Sequence, residues 1–231
     1  MALEEAREVL MTAGNSQATK GELHLYWKYP DECNRPKAYL EGEARSLFLC
    51  ELVKRHAQQE DRILEIGCNI GRNLNYLYAA GFTNLAGIEI NKRAVRLLGH
   101  AYPEMSKHLT IYNSSIEKAI THFDDRTFDI VFTMAVLQHI HPDSEWIFKE
   151  MVRITKNHII TIEDEHGISN RHFPRNYRSI FNDSLNMAQL SEADCWDVEG
   201  LGEDFVARVF AKQEMSESPG ERDREYPKVK E

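Results

Sequence analysis

The stretch ILEIGCNIGRNLNYL, residues 63–77, decides the fold of this chain. It begins as a short apolar run typical of a buried strand, passes through a loop with Gly67 and Gly71, and continues as a helix-forming segment. Glycine in such a loop lets a ligand approach the backbone where a Cβ would block it. Asn69 stands where a third glycine is usual, and asparagine also tolerates a left-handed backbone at low cost. The stretch therefore predicts a ligand-binding turn between a strand and a helix.

The next strand candidate ends on an acidic residue. In GIEIN, residues 87–91, Glu89 lies twenty-four positions after Glu65. A carboxylate there can accept hydrogen bonds from both hydroxyls of a ribose, and its charge disfavours a cofactor with a 2′-phosphate. A nicotinamide-binding GxGxxG loop would need its last glycine at position 72, which is Arg72. The dinucleotide fingerprint is therefore absent.

Short apolar runs alternate with amphipathic segments from about residue 62 to residue 165. The strand candidates are RILEI (62–66), NLAGIEI (84–90), LTIYN (109–113), DIVFTM (129–134) and HIITIE (158–163). Apolar residues at helical spacing lie between them, at Ala94, Leu97, Leu98 and Ala101 and again at Ile147, Met151 and Ile154. This alternation predicts an α/β fold with helices on both faces of a doubly wound, mainly parallel sheet.

The flanking segments complete a three-part organisation. Residues 1–60 are predicted to form a helical, aromatic-rich cap, with one helix at ALEEAREVLM (2–11) and another marked by Ala44, Leu47, Phe48 and Leu52. Residues 61–212 form the α/β domain, and residues 213–231 form a charged tail that we expect to be disordered.

Two features lie within the last part of the α/β domain. A polar insertion with a helix is predicted at residues 166–190, after the fifth strand. CWDVEGL (195–201) and FVARVFAK (205–212) are predicted to close the sheet as a pair of strands.

Composition excludes several classes of function. The formal net charge of −9, from 37 acidic and 28 basic residues, argues against nucleic acid as a partner, because such binding relies on clustered cations. No apolar run is long enough for a membrane helix, and the first residues are acidic where a signal peptide is basic. Four separate cysteines without a CxxC pair are predicted to be reduced thiols. We therefore expect a cytoplasmic protein without a membrane partner, either a monomer or a homodimer.

The motif E-x-G-x-N-x-G at residues 65–71 resembles motif I of the class I S-adenosylmethionine (SAM) dependent methyltransferases. YNSSIEKAI (112–120) resembles their third motif, with Ser115 where an aspartate is commoner, and FDIVFTMAVLQHIHP (128–142) resembles motif IV. The resemblance covers roughly residues 60–165. It implies a seven-stranded sheet of order 3-2-1-4-5-7-6 with an antiparallel last strand.

The same resemblance implies SAM as the cofactor and S-adenosylhomocysteine as its product. In that family the carboxylate at the position of Glu65 supports the loop and the amino acid end of SAM. The residues to which the resemblance assigns cofactor binding are Glu65, Gly67, Cys68, Asn69, Gly71, Asn73, Glu89, Ile90, Ser115, Ile116, Thr133 and Met134.

Methyl transfer mainly requires alignment of the acceptor and exclusion of water, and sometimes removal of a proton. His139, Glu163 and His166 are the catalytic candidates. His139 titrates near neutrality in its ordinary state, although packing or helix capping would also explain it. The acidic run at residues 163–165 could hold a cationic acceptor or a metal, act as a base, or be solvated. His139 and His141 lack a third ligand at a suitable spacing, so no metal site is predicted.

Two further groups could contact the acceptor. Tyr26, Trp27 and Tyr29 could form an aromatic lid or belong to the core. Arg171 and Arg175, near Tyr177, suit a carboxylate or phosphate, or they neutralise the preceding acids.

An N-terminal segment and an insertion after the fifth strand favour a small-molecule acceptor over a macromolecule. The leading hypothesis is methylation of an oxygen or nitrogen on such an acceptor. The alternatives are a protein or RNA methyltransferase, or a non-catalytic SAM-binding partner or sensor.

Overall fold

A seven-stranded sheet forms the centre of the computed structural model, which describes residues 17–213. The helix predicted at residues 2–11 and the charged tail lie outside the described residues. The strands are β1 (Ile63–Ile66), β2 (Leu85–Ile88), β3 (Thr110–Tyr112), β4 (Phe128–Met134), β5 (Thr155–Asp164), β6 (Met187–Asp194) and β7 (Phe205–Lys212). Their order, β3-β2-β1-β4-β5-β7-β6, confirms the order that the family resemblance implies.

Strand direction follows the connections. The neighbouring pairs from β3 across to β5 are parallel, and β7 runs antiparallel to both β5 and β6. Parallel neighbours need a crossover, and the amphipathic segments predicted between the strands supply helices for it. The α/β prediction is therefore confirmed.

Helices lie on both faces of the sheet. Their bounds are α1 (Lys20–Lys28), α2 (Glu43–Lys54), α3 (Arg72–Ala79), α4 (Lys92–Ala101), α5 (Pro103–Ser106), α6 (Ile116–Ala119) and α7 (Trp146–Ile154). Short 3₁₀ turns occur at Pro36–Leu40, Ile120–His122, Leu137–His139 and Pro142–Ser144, and a π-helical turn occurs at Ser179–Ser184. The insertion after β5 thus contains a helix, as predicted, but a short one.

Two apolar clusters cover the faces of the sheet. Leu64, Ile66 and Val131 belong to one cluster, and Ile63 and Ile130 belong to the other. Successive strand residues point to opposite faces, so a sheet buried on both sides needs apolar residues at every position. This explains why three of the four residues of β1 are apolar and all four are buried, with Glu65 as the exception near its carboxyl end.

Helix α1 lies within the predicted helical, aromatic-rich cap, but between the two helices predicted there. Thr19 caps it: the Thr19 side chain accepts a hydrogen bond from the Glu22 amide, and the Glu22 carboxylate accepts one from the Thr19 amide. This capping box was a readable signal in the sequence. The Ala18 amide donates to the Asn170 carbonyl at 2.8 Å, so α1 lies against the insertion after β5.

The predicted strand at residues 195–201 is wrong. Those residues form turns, in which Gly200 has φ +85°, and the strand that pairs with β7 is β6, eight residues earlier. β6 is an edge strand whose last five residues are exposed. Because most of β6 is exposed, its sequence MAQLSEAD lacks the alternation of apolar and polar residues from which a strand is predicted. The prediction for β7 is confirmed.

The sheet aligns the carboxyl ends of its central strands. Ile66 pairs with Ile88 of β2 and with Thr133 of β4, so the loops that follow β1, β2 and β4 meet at one edge. Ligands of doubly wound sheets bind at such an edge. All four cysteines are free, as predicted. None of the helices within residues 17–213 has the length and hydropathy needed to cross a bilayer.

Candidate active site

The loop after β1 is held in a conformation that depends on its glycines. Gly67, Asn69 and Gly71 have φ values of +73°, +48° and +75°. A Cβ on Gly67 would lie 2.5 Å from Cγ2 of Val136, and a Cβ on Gly71 would lie 2.7 Å from Leu98. Backbone conformation and close packing therefore both require glycine at the two ends of this loop.

Two buried carboxylates flank the loop. Glu65 is only 2% exposed; its Oε1 accepts a hydrogen bond from Asn73 Nδ2 at 2.8 Å, and its Oε2 has no partner. Burial raises the pKa of Glu65 to about 8. Glu89 accepts hydrogen bonds from the amides of Asn69 at 2.8 Å and Asn91 at 2.6 Å. Burial raises the pKa of Glu89 to about 7, against the lowering effect of these amides.

A hydrogen-bond network that passes through Asn73 holds the Glu65 side chain in place. Ser46 Oγ donates to Asn73 Oδ1 at 2.7 Å, while Arg72 Nε donates to Ser46 Oγ at 2.8 Å. Arg72 also donates to the carbonyls of Tyr39 and Glu41. Helix α2 and the loop before it are thereby connected to the carboxylate at the end of β1.

A cavity of about 390 Å³ opens where these strands end. All residues assigned to the cofactor line it except Gly71 and Thr133. Gly71, which directly precedes α3, packs against Leu98. Thr133 is fully buried inside β4. The structure therefore brings the three predicted motifs to a single cavity of a size that small ligands occupy.

The other wall of the cavity comes from α1, the segment after β4 and the insertion. Of the residues predicted there, Trp27, His139 and Arg171 line the cavity. The predicted site lacked several polar residues of this wall, namely Lys20, His24, Gln138, His141 and His172, and the adjoining Glu117 of α6. Lys20, His24 and Trp27 are spaced i, i+4 and i+7, so a recognised α1 would have placed them on one helix face.

His139 is fixed by its surroundings. Its Nδ1 lies 2.9 Å from the Arg171 carbonyl, which can only accept, so Nδ1 carries the proton and Nε2 keeps a lone pair. The ring lies 4.6 Å from the rings of both Trp27 and His172, measured between centroids. Burial lowers the pKa of His139 to about 3, and the imidazole is therefore neutral across the physiological range.

An ion pair connects α1 to α6 beside this wall. His24 Nε2 lies 2.8 Å from Glu117 Oε1, which also accepts a hydrogen bond from Ser144 Oγ at 3.0 Å. Burial alone would raise the pKa of Glu117, but the bond to His24 and the other donors lower it to about 2. Glu117 is thus a permanent anion that holds α1 over the cavity.

The acidic run at the end of β5 is neither solvated nor part of the cavity lining. Glu163 is fully buried, and its Oε2 accepts hydrogen bonds from the amides of Val136 and Leu137 at 2.9 Å. Asp164 accepts from two following amides, and Glu165 forms a buried two-pronged pair with Arg208 at 2.7 and 3.0 Å. The expected catalytic role of Glu163 is corrected, because this buried carboxylate holds the loop after β4 in place through hydrogen bonds to its backbone amides.

Replacing Glu163 with alanine is expected to lower the free energy of unfolding by about 3 kcal/mol or more, because buried amides left without an acceptor cost about 1–3 kcal/mol each. Glu163→Gln keeps a carbonyl oxygen for these amides and should stay folded. Burial raises the pKa of Glu163 to about 8, so its ionisation opposes folding as pH rises from about 5 to 8. Urea unfolding at both pH values should show a smaller loss of stability with pH for the glutamine variant; a stable alanine variant would contradict this role.

Several predicted residues lie outside the cavity. His166 is exposed, and its amide donates to Asp164. Arg175 donates to the carbonyls of Leu137, Phe173 and Ile140 and pairs with Glu145. Tyr177 is fully buried between Phe148 and Phe181. Tyr26, which packs against Trp27, and Tyr29 are both absent from the cavity lining. The expected substrate contacts of Arg175 and Tyr177 are thus corrected, because these side chains hold the fold together.

Within residues 17–213, no cluster of three or more histidine, cysteine, aspartate or glutamate side chains is arranged to hold a metal ion. His139 and His141 in particular have other contacts: His139 with Arg171, and His141 with the ring of Phe173 at 5.5 Å.

Comparison with known families agrees with this geometry. A family model described as a methyltransferase domain matches residues 64–160, the segment that contains both carboxylates and the loop after β4. Residues 64–160 therefore form a methyltransferase domain. The sheet order reported above is the one expected of class I SAM-dependent methyltransferases, a family that implies SAM as the cofactor.

Solved structures share the fold of this methyltransferase at low sequence identity. The PH0226 protein from Pyrococcus horikoshii OT3 has a TM-score of 0.60 and 15% identity, over 85% of this chain and 100% of that one. The geranyl diphosphate C-methyltransferase from Streptomyces coelicolor A3(2), in complex with Mg²⁺, geranyl diphosphate and S-adenosyl-L-homocysteine, has a TM-score of 0.58 and 11% identity. That match covers 80% of this chain and 84% of the Streptomyces chain.

A curated relative of this methyltransferase acts on protein. The eEF1A lysine and N-terminal methyltransferase of Mus musculus is 22% identical over 111 residues, which is 48% of this chain. The chain spans only 16% of the length of that mouse protein. The similarity thus concerns the methyltransferase domain and leaves the acceptor open.

Proposed function

We propose that this methyltransferase transfers a methyl group from SAM to an oxygen or nitrogen of a small-molecule acceptor inside the 390 Å³ cavity. One observation carries the proposal: two buried carboxylates, Glu65 and Glu89, end neighbouring strands and line the same cavity as His139. Acidic groups for a cofactor and a neutral imidazole thus lie around one enclosed space.

The residues present fit SAM in charge and shape. Glu65 Oε2 has no partner within the described chain, which suits a ligand ammonium group. Glu89 keeps free lone pairs for ribose hydroxyls beyond the two amides it already accepts. Val136 leaves no room for a Cβ on Gly67, so the loop backbone lies close to the cavity. The residues proposed to contact the cofactor are Glu65, Gly67, Cys68, Asn69, Asn73, Glu89, Ile90, Ser115, Ile116 and Met134, with Gly71 and Thr133 as supports.

When bound, SAM supplies a methyl group on a sulfonium, so the protein needs no nucleophile of its own. His139 Nε2 can accept a hydrogen bond from a hydroxyl or amine and thereby orient its lone pair toward the methyl donor. Trp27 and α1 cover the cavity and exclude water. The low pKa of His139 favours this orienting role over complete removal of a proton before transfer.

The mouse relative makes a protein lysine or N-terminus a second candidate acceptor. Two cations, Lys20 and Arg171, line the cavity on the side of His139, against one anion, Glu117. Like charges disfavour a lysine side chain there. The structure therefore supports the small-molecule proposal better.

Methyl-labelled SAM tests the proposal directly. The full chain is incubated with separate metabolite, protein and RNA fractions, and we expect label in the metabolite fraction. Label confined to protein or RNA would overturn the acceptor class. Tight binding of S-adenosylhomocysteine without turnover on any fraction would instead indicate a non-catalytic SAM-binding protein.

S-adenosylhomocysteine affinity is expected to depend on pH. The proposed ligand contacts need the ionised carboxylates of Glu65 and Glu89, whose pKa values burial raises to about 8 and about 7. Affinity is therefore complete only above about pH 8, falls by up to about tenfold per pH unit between pH 8 and 7, and falls more steeply below pH 7. Calorimetry between pH 6 and 8 measures this slope. The Glu89→Gln variant should bind more weakly and with a flatter profile; a wild-type affinity independent of pH would contradict the assignment.

A further inference from the structure

We propose that the methyl acceptor carries an anionic group, a carboxylate or a phosphate, and that Arg171 binds it. This inference rests on the proposed function and names the substrate class of the same cavity. It follows from the bonding of Arg171, from its neighbours and from the charges of the wall.

The guanidinium of Arg171 is held in place, and Asp31, the acid whose pKa it helps to lower, forms no ion pair with it. It lies 4.1 Å above the ring of Tyr26 and lines the cavity. Its backbone is fixed on both sides, since the carbonyl accepts from His139 and the amide donates to Ser169 Oγ. Within residues 17–213, the guanidinium has neither a hydrogen bond nor an ion pair. Its donors are thus left for a ligand.

Arg175, four residues later, is by contrast an arginine whose guanidinium is bonded within the protein. Its guanidinium donates to three backbone carbonyls and pairs with Glu145 at 2.9 Å. Arg208 likewise pairs with Glu165 through two hydrogen bonds. A planar guanidinium matches carboxylate and phosphate oxygens with paired hydrogen bonds, and Arg171 is the arginine of the insertion that keeps this geometry available to the cavity.

The acidic residues near Arg171 do not cancel the positive charge on this side of the cavity. Asp31 is the acid behind Tyr26, and its oxygens accept from the Tyr26 hydroxyl and from the Asn34 amide and side chain. Glu117 is paired with His24. Lys20 adds a second cation on the cavity face of α1. Against the one anion Glu117, the two cations Lys20 and Arg171 leave a net positive charge on this wall of the cavity.

Arg171 and His139 are coupled through one hydrogen bond, so their relative position is fixed. The Arg171 carbonyl accepts the proton of His139 Nδ1, which leaves His139 Nε2 as an acceptor in the cavity that Arg171 also lines. An acceptor that satisfies both has an anionic group for Arg171 and a hydroxyl or amine for His139. The Trp27 ring, 4.6 Å from that of His139, adds a flat surface suited to an aromatic or planar molecule.

Binding of simple probes to the protein saturated with S-adenosylhomocysteine tests this inference. Benzoate, phenyl phosphate and the neutral benzamide are titrated by ligand-observed NMR. We expect the anions to bind at least about tenfold more tightly than benzamide, and Arg171→Gln to remove that preference. Arg171→Lys should retain part of it. Arg178→Gln, which removes a charge from an exposed position of the same segment, should retain all of it.

A second arm uses real acceptors. A metabolite extract is divided by anion exchange, and each fraction is offered with methyl-labelled SAM. Label from the retained fraction supports the inference, and the relative binding of benzoate and phenyl phosphate tells carboxylate from phosphate. Label only from the unretained fraction, or benzamide binding as tightly as the anions, would overturn it. S-adenosylhomocysteine is titrated first, because failure of that titration refutes the proposed function itself, whereas cofactor binding without an anion preference refutes only the acceptor class.

Discussion

Replacing Glu89 with alanine is expected to weaken S-adenosylhomocysteine binding by about 100-fold. A hydrogen bond to a charged group contributes about 1.5–3 kcal/mol, and losing two such bonds at the lower value costs about 3 kcal/mol, which corresponds to about two orders of magnitude in affinity. Calorimetry with wild-type and variant protein at pH 8, where Glu89 is ionised, measures the effect.

Glu89 also holds the glycine loop in place before any ligand binds. The experiment therefore has to separate the loss of ligand contacts from the loss of loop structure. Its carboxylate accepts the amides of Asn69 and Asn91, so alanine also frees the glycine loop. Glu89→Gln keeps a carbonyl oxygen for one amide and is the matched variant. Glu104→Ala, at an exposed position on α5, controls for loss of an acidic charge. Unchanged affinity in a folded Glu89→Ala protein would rule out the proposed cofactor position.

The central sheet and its cofactor edge could be predicted because they depend on local sequence. A strand buried on both faces is mostly apolar, and β1 shows this without reference to the rest of the chain, with Glu65 as its one polar residue. The turn at Gly67 needs a residue without a Cβ, which restricts the sequence to a recognisable pattern. Glu65 and Glu89 could be predicted as site residues because one lies near the carboxyl end of β1 and the other directly follows β2.

The acceptor side could not be predicted to the same extent because its residues meet only through tertiary contacts. His24 and Glu117 are 93 positions apart, and the meaning of each depends on the other. The run at residues 163–165 reads as solvated or catalytic, yet its partners are distant amides and Arg208. The edge strand β6 was hidden for a related reason, since an exposed edge leaves little apolar pattern.

Replacing His139 with phenylalanine is expected to lower kcat by about 100-fold while leaving S-adenosylhomocysteine affinity within a factor of about three. Phenylalanine keeps the ring packing against Trp27 and His172 but removes the Nε2 lone pair that would orient the acceptor. Loss of a positioned proton acceptor or of acceptor alignment typically costs about 10²-fold. His100→Phe is the matched control, because His100 also places Nδ1 against a carbonyl, at 2.8 Å, on the exposed side of α4.

The pH profile separates an orienting His139 from a titrating base. Burial lowers the pKa of His139 to about 3, so the imidazole stays neutral and kcat at saturating SAM should not fall between pH 8 and pH 5.5 on its account. The KM for SAM should rise over the same range, since Glu89 takes up a proton near pH 7. A kcat that falls with a midpoint near 6.5 in the wild type, and not in His139→Phe, would show that His139 exchanges its proton with the acceptor. A flat kcat with a rising KM assigns the proton loss to the acceptor itself, and His139 then acts by holding the nucleophile in line with the methyl donor.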